Sequence, residues 1–354
     1  MPGPSYAPGG NRCTIRSPVR VVRVFPLLLA LCATLAVAHV SSGAAPLIPD
    51  VSIFYYPWYG TPARDGAWVH WTRPDTTSYA SNYYPTRGLY SSSDARVVLA
   101  QMREIAAAGI QEVVSSWWGW GSPEDRRLPL VIWAARQAHV DVAAHIEPYP
   151  GRSVLTVQSD LEHLQQLGIK RFFVYQPSDI ADADWAALRD SVRGIQLFAE
   201  TTAIGHAAAA HFDGVYTYDI VNRGAGTYER FCKAAHKLKL LCFPSVGPGY
   251  DATRATGDTK IKPRRDGRTY DAMWKAAIDS KPDGVTITSY NEWHEGTQIE
   301  PARAGPPGNA AKLSYESYEG AYGLHGKAAQ RAYLDRTHFW VRAFARSQRP
   351  DEPD

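Results

Sequence analysis

Residues 94–116 read DARVVLAQMREIAAAGIQEVVSS. Val98, Met102 and Ile105 recur at helical spacing on one face, Asp94 can cap the start and Gly109 the end, and a β-branched run from Glu112 to Ser116 follows at once. A helix over 94–108 feeding a strand over 112–116 is one unit of an alternation that extends in both directions. Strands are predicted at 51–56, 112–116, 141–146, 171–175, 195–199, 214–218, 240–243 and 284–289. Helices are predicted at 154–167, 182–193, 228–237 and 270–279, and a helix over 328–346 would close the ring. Eight βα units in about 300 residues predict an α/β chain folded as a single (β/α)8 TIM barrel. The rival is a doubly wound sheet, but no Gly-rich phosphate loop follows the first strand, so the barrel is preferred.

Strand starts are mostly regular, except for gaps of about 60 residues after the first strand and about 45 after the seventh. Long loops at those two places belong to the C-terminal face of such a barrel, where active sites are built. The first holds eight aromatics in residues 57–90, twice the chain average: Trp58, Tyr59, Trp68, Trp71, Tyr79, Tyr83, Tyr84 and Tyr90. A second cluster, Trp117, Trp118 and Trp120, directly follows the second strand. Flat rings in loops suit a sugar site, because pyranose C–H faces stack on them while hydroxyls find polar partners. The alternative is that these rings pack beneath the loops and hold them down.

Carboxylates also gather at predicted strand ends. Glu147 follows the third strand, Asp219 the sixth, and Glu292 and Glu295 stand three apart after the eighth. On a helical turn that spacing sets Cβ atoms about 5–6 Å apart. Two carboxyl groups at such range can divide acid and base roles, as glycoside hydrolysis requires. Metal chemistry fits less well, since no His-Glu-x-x-His is present and His206 and His211 stand five apart in an Ala-rich helix, off a shared face. His70, His145 and His294 lie near strand ends, where they suit hydrogen bonds to sugar hydroxyls or to the carboxylates. No Gly-x-Ser-x-Gly elbow is present either. No cofactor is expected.

The formal charge of +3 comes from 38 Lys+Arg against 35 Asp+Glu, but residues 1–38 hold four arginines and no acid. The remainder carries 34 basic against 35 acidic residues, so nucleic acid is not an expected partner. Residues 1–38 read as a signal peptide: Arg12, Arg16, Arg20 and Arg23 precede an apolar run over 25–37 ending in the small-x-small Ala36-Val37-Ala38. Export to the extracellular or periplasmic space is expected, with an uncleaved signal anchor as the alternative. Leu31 before Cys32 argues against a lipoprotein box. A short lead over 39–50, a catalytic domain over 51–348 and a polar tail over 349–354 complete the layout. Cys232 and Cys242 are expected as two buried thiols rather than a disulfide. A monomer is expected, and no Asn-x-Ser/Thr sequon is present.

The motifs resemble glycoside hydrolase family 99, the endo-α-1,2-mannosidases and endo-α-1,2-mannanases. TSYNEWHEGTQIE at 288–300 is similar to that family's catalytic segment. FYYPWYG from Phe54, SSWWGWG from Ser115, HIEPYPGR from His145, DGVYTYD from Asp213 and PSVGPGYDATR from Pro244 match in family order. The resemblance implies a metal-free, retaining enzyme that cleaves α-1,2-mannosidic bonds within mannan or high-mannose N-glycans. It implies that Glu292 deprotonates the substrate's 2-hydroxyl, which attacks C1 to form a 1,2-anhydro sugar. Glu295 then corresponds to the acid/base that protonates the leaving oxygen and later activates water. Tyr56, Glu147 and Tyr218 correspond to residues around the reacting sugar, and Trp118 to the aromatic on its non-reducing side. Trp58, Tyr59, His70, Tyr149, Asn291 and His294 complete the expected binding set. The stretches 257–267 and 303–309 match no family motif. A barrel that binds mannan without cleaving it and an endo-glycosidase of α-glucan are the competing readings.

Overall fold

The structure, a computed structural model, describes residues 50–73, 79–305 and 314–349. The expected signal peptide and nearly all of the lead and tail lie outside these residues. Eight parallel strands alternate with helices: β1 (Val51–Tyr55), β2 (Glu112–Trp117), β3 (Asp141–Ile146), β4 (Arg171–Val174), β5 (Gln196–Glu200), β6 (Gly214–Tyr216), β7 (Leu241–Phe243, resuming as Ser245–Val246) and β8 (Val285–Ile287). Each pairs with its sequence neighbour, β1 also pairs with β8, and β8 pairs with Ser245–Val246. Pro244 interrupts β7 because it has no N–H to donate, yet its carbonyl still accepts from the Thr286 amide at 3.2 Å. The two pieces act as one strand, and the sheet closes on itself. That closure excludes the doubly wound alternative.

Period-two alternation builds two cores from one set of strands. Val51, Ile53 and Tyr55 of β1 face outward to the helices, while Phe54 points into the barrel. Inside, Phe54, Val114, Ala143, Phe173, Phe198, Tyr216 and Phe243 fill the middle of the barrel, all buried. Gly214 is required there, because a Cβ would stand 2.4 Å from the Phe198 ring. The floor is ionic: Arg171 pairs with Asp50 at 2.8 Å and Glu112 at 3.2 Å, and its guanidinium lies over Phe198 and Phe243. The middle of the barrel is filled by these rings, and the β1 and β7 loops open onto its C-terminal face.

The outer layer comprises α1 (Ala95–Ala107), α2 (Pro123–Gln137), α3 (Val154–Gln166), α4 (Asp182–Ser191), α5 (Ile204–Ala209), α6 (Tyr228–Lys237), α7 (Arg268–Asp279) and α8 (Ala332–Ser347). Asp94 caps α1 by accepting from the Arg96 amide, and Gly109 takes the left-handed conformation beyond its end. The α2 helix was not among the predicted ones, since Pro123, Pro129 and the charges between them hide its apolar stripe. Pro123 stands in the first turn, where it costs nothing, behind the Ser122 cap. Two expectations are corrected. His211 lies beyond the end of α5 in a left-handed conformation, so it does not share a helix with His206. Cys232 and Cys242 form a disulfide: α6 runs back against β7, which brings their Cα atoms to 5.2 Å. No helix among the described residues is long and apolar enough to cross a membrane.

Candidate active site

Of the carboxylates after β8, Glu295 sits on a hydrogen-bonded turn over 293–296 and Glu292 stands immediately before it, so the two are not carried on a helix. Its geometry is set by the residues on either side. The Glu292 amide donates to Ser289 Oγ at 2.9 Å, Ser289 Oγ pairs with Thr297 Oγ1, and Asp251 N donates to the Glu295 carbonyl at 2.8 Å. Asn291 uses both ends of its amide on the backbone of Tyr56, accepting at 2.8 Å and donating at 3.0 Å. Tyr59 OH donates to the Asn291 carbonyl at 2.9 Å and accepts from the Trp293 amide. Asn291 and Tyr59, both expected to touch substrate, are fully buried and tie the β8 loop to the end of β1.

Glu292 is buried and Glu295 partly buried. Burial raises the Glu292 carboxyl well above its ordinary value, and repulsion from Glu295 adds to it, while the backbone amides of His294 and Glu295 pull the other way. The His294 N–H donates to Glu292 Oε1 at 3.0 Å. Burial likewise pushes Glu295 up to about 7, opposed by the hydroxyl of Tyr218, which donates to its Oε2 at 3.1 Å. Tyr218 OH in turn shares a 2.5 Å hydrogen bond with Tyr56 OH. Such a pair titrates as a unit and retains a proton at pH values where lone carboxyls are ionised.

Across the barrel mouth Glu147 accepts from Ser116 Oγ at 2.8 Å and lies 2.9 Å from His145 Nδ1, whose other nitrogen meets Tyr216 OH at 2.8 Å. His145 also lies over the Tyr218 ring, with centroids 5.7 Å apart. The chain thus brings Tyr56, Glu147, Tyr218, Glu292 and Glu295 to one place from four strand ends. His70 and His294 form a second group beside them, with His294 Nε2 donating to the His70 carbonyl and Trp58 stacked on the His70 ring at 4.4 Å. Burial lowers both imidazoles, His70 to about 4, with the neighbouring His294 as its second cause. Both stay neutral and can donate or accept. His145 instead contacts Glu147, Tyr216 and Tyr218. No cluster of three or more potential metal ligands occurs among the described residues.

The aromatic clusters divide. Tyr59, Trp71, Tyr79, Tyr83 and Tyr90 are buried beneath the β1 loop, where Trp71 stacks on Tyr59 at 4.1 Å and donates to the Tyr90 carbonyl. Most of the first cluster is therefore packing, because a loop this long needs its own core. Trp118 and Trp120 remain accessible, and Tyr149 packs edge-on against the buried Trp117.

Two anchors were not foreseen. Glu300 is fully buried and accepts from Arg87 Nε at 2.8 Å, Tyr90 OH at 2.7 Å, Gln101 Nε2 at 2.9 Å and Trp293 Nε1 at 3.0 Å. Arg264 lies within 4.7 Å of the Tyr83, Tyr318 and Tyr333 ring centroids and donates to the carbonyls of Gly296 and Gln298. Together they hold the segment that carries the glutamates at Trp293 and from Gly296 to Glu300. Its only foreshadowing in sequence is an arginine in the unmatched stretch 257–267.

The sequence profile of glycosyl hydrolase family 99 matches residues 46–346. A glycoprotein endo-alpha-1,2-mannosidase-like protein of Danio rerio is 32% identical, over 84% of this chain and 79% of its own length. The glycoprotein endo-alpha-1,2-mannosidase of Rattus norvegicus is 28% identical, over 86% of this chain and 76% of its own. Among solved structures, the GH99 endo-alpha-mannosidase from Bacteroides thetaiotaomicron superposes with a TM-score of 0.76 at 30% identity, covering 85% of this chain and 98% of that one.

Proposed function

Since the chain belongs to glycosyl hydrolase family 99, we propose that it is a retaining, endo-acting hydrolase of α-1,2-mannosidic bonds in mannan or high-mannose glycans. The observation that carries the division of roles is the unlike company of the two glutamates. Glu292 faces backbone N–H groups, which can only donate and so favour a carboxylate. Glu295 faces a hydroxyl pair, Tyr218 and Tyr56, which can reverse direction and accept from a protonated carboxyl. In the productive state the shared proton therefore rests on Glu295, with Glu292 ionised as base.

In the first step Glu292 removes the proton of the mannose 2-hydroxyl, the 2-oxygen attacks C1, and the C1–O bond to the leaving sugar breaks as Glu295 protonates that oxygen. The 2-hydroxyl of mannose is axial and trans to the α-linked leaving group, which suits backside attack. In the second step Glu295, now a carboxylate, takes a proton from water; the water oxygen attacks C1, the 1,2-anhydro ring opens, and Glu292 returns its proton to O2. Two inversions give net retention. Glu147, Tyr56, Trp58, His70 and His294 border the reacting sugar in this reading, with Asn291 and Tyr59 holding the loop in place. Trp118 stands on the non-reducing side, and Tyr149 lies behind it. The basic, apolar and small-x-small order of residues 1–38 supports export of the enzyme.

The acid role has a pH consequence. With Glu295 held up to about 7 and required protonated, kcat/KM is expected to fall above about pH 7, tenfold per unit in the limit. A rate that stays level to pH 9 would remove Glu295 from that role. The substrate assignment is tested by product analysis: an α-1,2-linked mannan should release fragments of two or more sugars with retained α configuration, and α-glucan none. Cleavage of the glucan alone would shift the sugar, and tight mannan binding with no product would leave a binding barrel.

A further inference from the structure

Trp120 is the most exposed large aromatic among the described residues, at 65%. Exposure alone decides nothing, but this ring is held in place. His163 of α3 stacks flat against one of its faces, with centroids 4.3 Å apart and planes 12° apart. His163 Nε2 lies 2.9 Å from Asp125 Oδ1, which also accepts from Trp117 Nε1 at 2.9 Å. The other carboxylate oxygen accepts from the Gly121 amide at 2.9 Å. One carboxylate thus ties together α2, α3, the buried tryptophan that ends β2 and the residue after Trp120. Burial would raise the Asp125 carboxyl, but the donors at Gly121, Trp117 and His163 outweigh it and hold the group below its ordinary value. The loop is seated in turn on Tyr149, since a Cβ at Gly119 would lie 3.3 Å from that ring.

We propose that the outer face of Trp120 is a distal sugar-stacking subsite that takes a pyranose unit of the glycan beyond the one at Trp118. Trp118 and Trp120 leave the same short loop, and the carbonyl of Trp117, the last residue of β2, accepts from the amide of Glu147, so the platform is continuous with the wall of the reacting site. A ring with one face covered and its rotamer locked has little entropy left to lose on stacking, and its bare face suits the C–H face of an uncharged sugar. This inference rests on the hydrolase reading above and extends it to longer chains.

The test compares two substrates on one enzyme preparation: an α-1,2-linked mannan, and an α-mannobioside with an activated aryl leaving group that reaches no farther than Trp118. Trp120→Ala is expected to lower the ratio of kcat/KM for mannan to that for the mannobioside by about 3- to 10-fold, carried by KM. Trp120→Phe should recover part of the loss. The ratio is independent of how much of a preparation is folded, so a poorly behaved variant still gives an answer. An unchanged ratio with wild-type turnover of both substrates overturns the subsite and leaves the hydrolase reading intact. Failure of the wild-type enzyme to cleave either substrate overturns both.

Discussion

Glu295→Gln is expected to cut kcat/KM on an unactivated α-mannan by at least ~100-fold, and by up to ~10,000-fold, the range of general acid/base catalysis. Glutamine keeps the shape of the side chain, and its carbonyl can still accept from Tyr218 OH, so the site should stay assembled. What is lost is the proton delivered to the leaving oxygen and the base that activates water. An aryl leaving group of low pKa needs no proton in the first step, so on such a substrate the deficit should shrink. The alkaline limb of the pH profile should vanish with it. Thermal unfolding should show no loss of stability, because the variant removes one of two groups whose charges repel. Wild-type activity on mannan in this variant would end the assignment.

Glu292→Gln should cost about 100- to 10,000-fold as well, but irrespective of the leaving group. Its proposed work is to deprotonate the attacking 2-hydroxyl, a demand that an activated aglycon does not relieve. The pair of variants therefore identifies the roles through one contrast: loss that recovers with a better leaving group marks the acid, and loss that does not recover marks the base. The opposite pattern would exchange the two glutamates. The hydrogen bonds favour the stated order, since N–H donors at Glu292 cannot accept a carboxyl proton while the Tyr218 hydroxyl can.

Much of the site was legible before the fold was known. Glu147 and Tyr218 stand at or just beyond predicted strand ends, and a parallel barrel collects such residues on one face. Asn291 and Tyr59 were legible as members of motifs but not in what they touch: their polar atoms are spent on backbone 232 to 235 residues away. Glu300 closes the same motif as Glu292 and Glu295, but nothing local marks it as the buried hub of Arg87, Tyr90, Gln101 and Trp293. Arg264 was legible only as an arginine in an unmatched stretch, because its cage of Tyr83, Tyr318 and Tyr333 comes from three separate stretches of chain.

By itself the sequence determined the alternation of strands and helices, the barrel, the two long loops and the position of both glutamates after the last strand. These follow from hydrophobic period, turn residues and short motifs, all of which act over a few neighbouring residues. Tertiary structure alone decided that Pro244 splits a strand without opening the barrel, that Cys232 meets Cys242, and that most loop aromatics are core while Trp120 is a clamped, bare ring. It also decided which partner each glutamate faces, amide or reversible hydroxyl. Tyr56 and Tyr218 lie 162 residues apart, and only closure of the sheet brings their hydroxyls to 2.5 Å beside Glu295. Proton affinity depends on that enclosure, because burial and the identity of each donor are properties of the closed barrel rather than of the local chain.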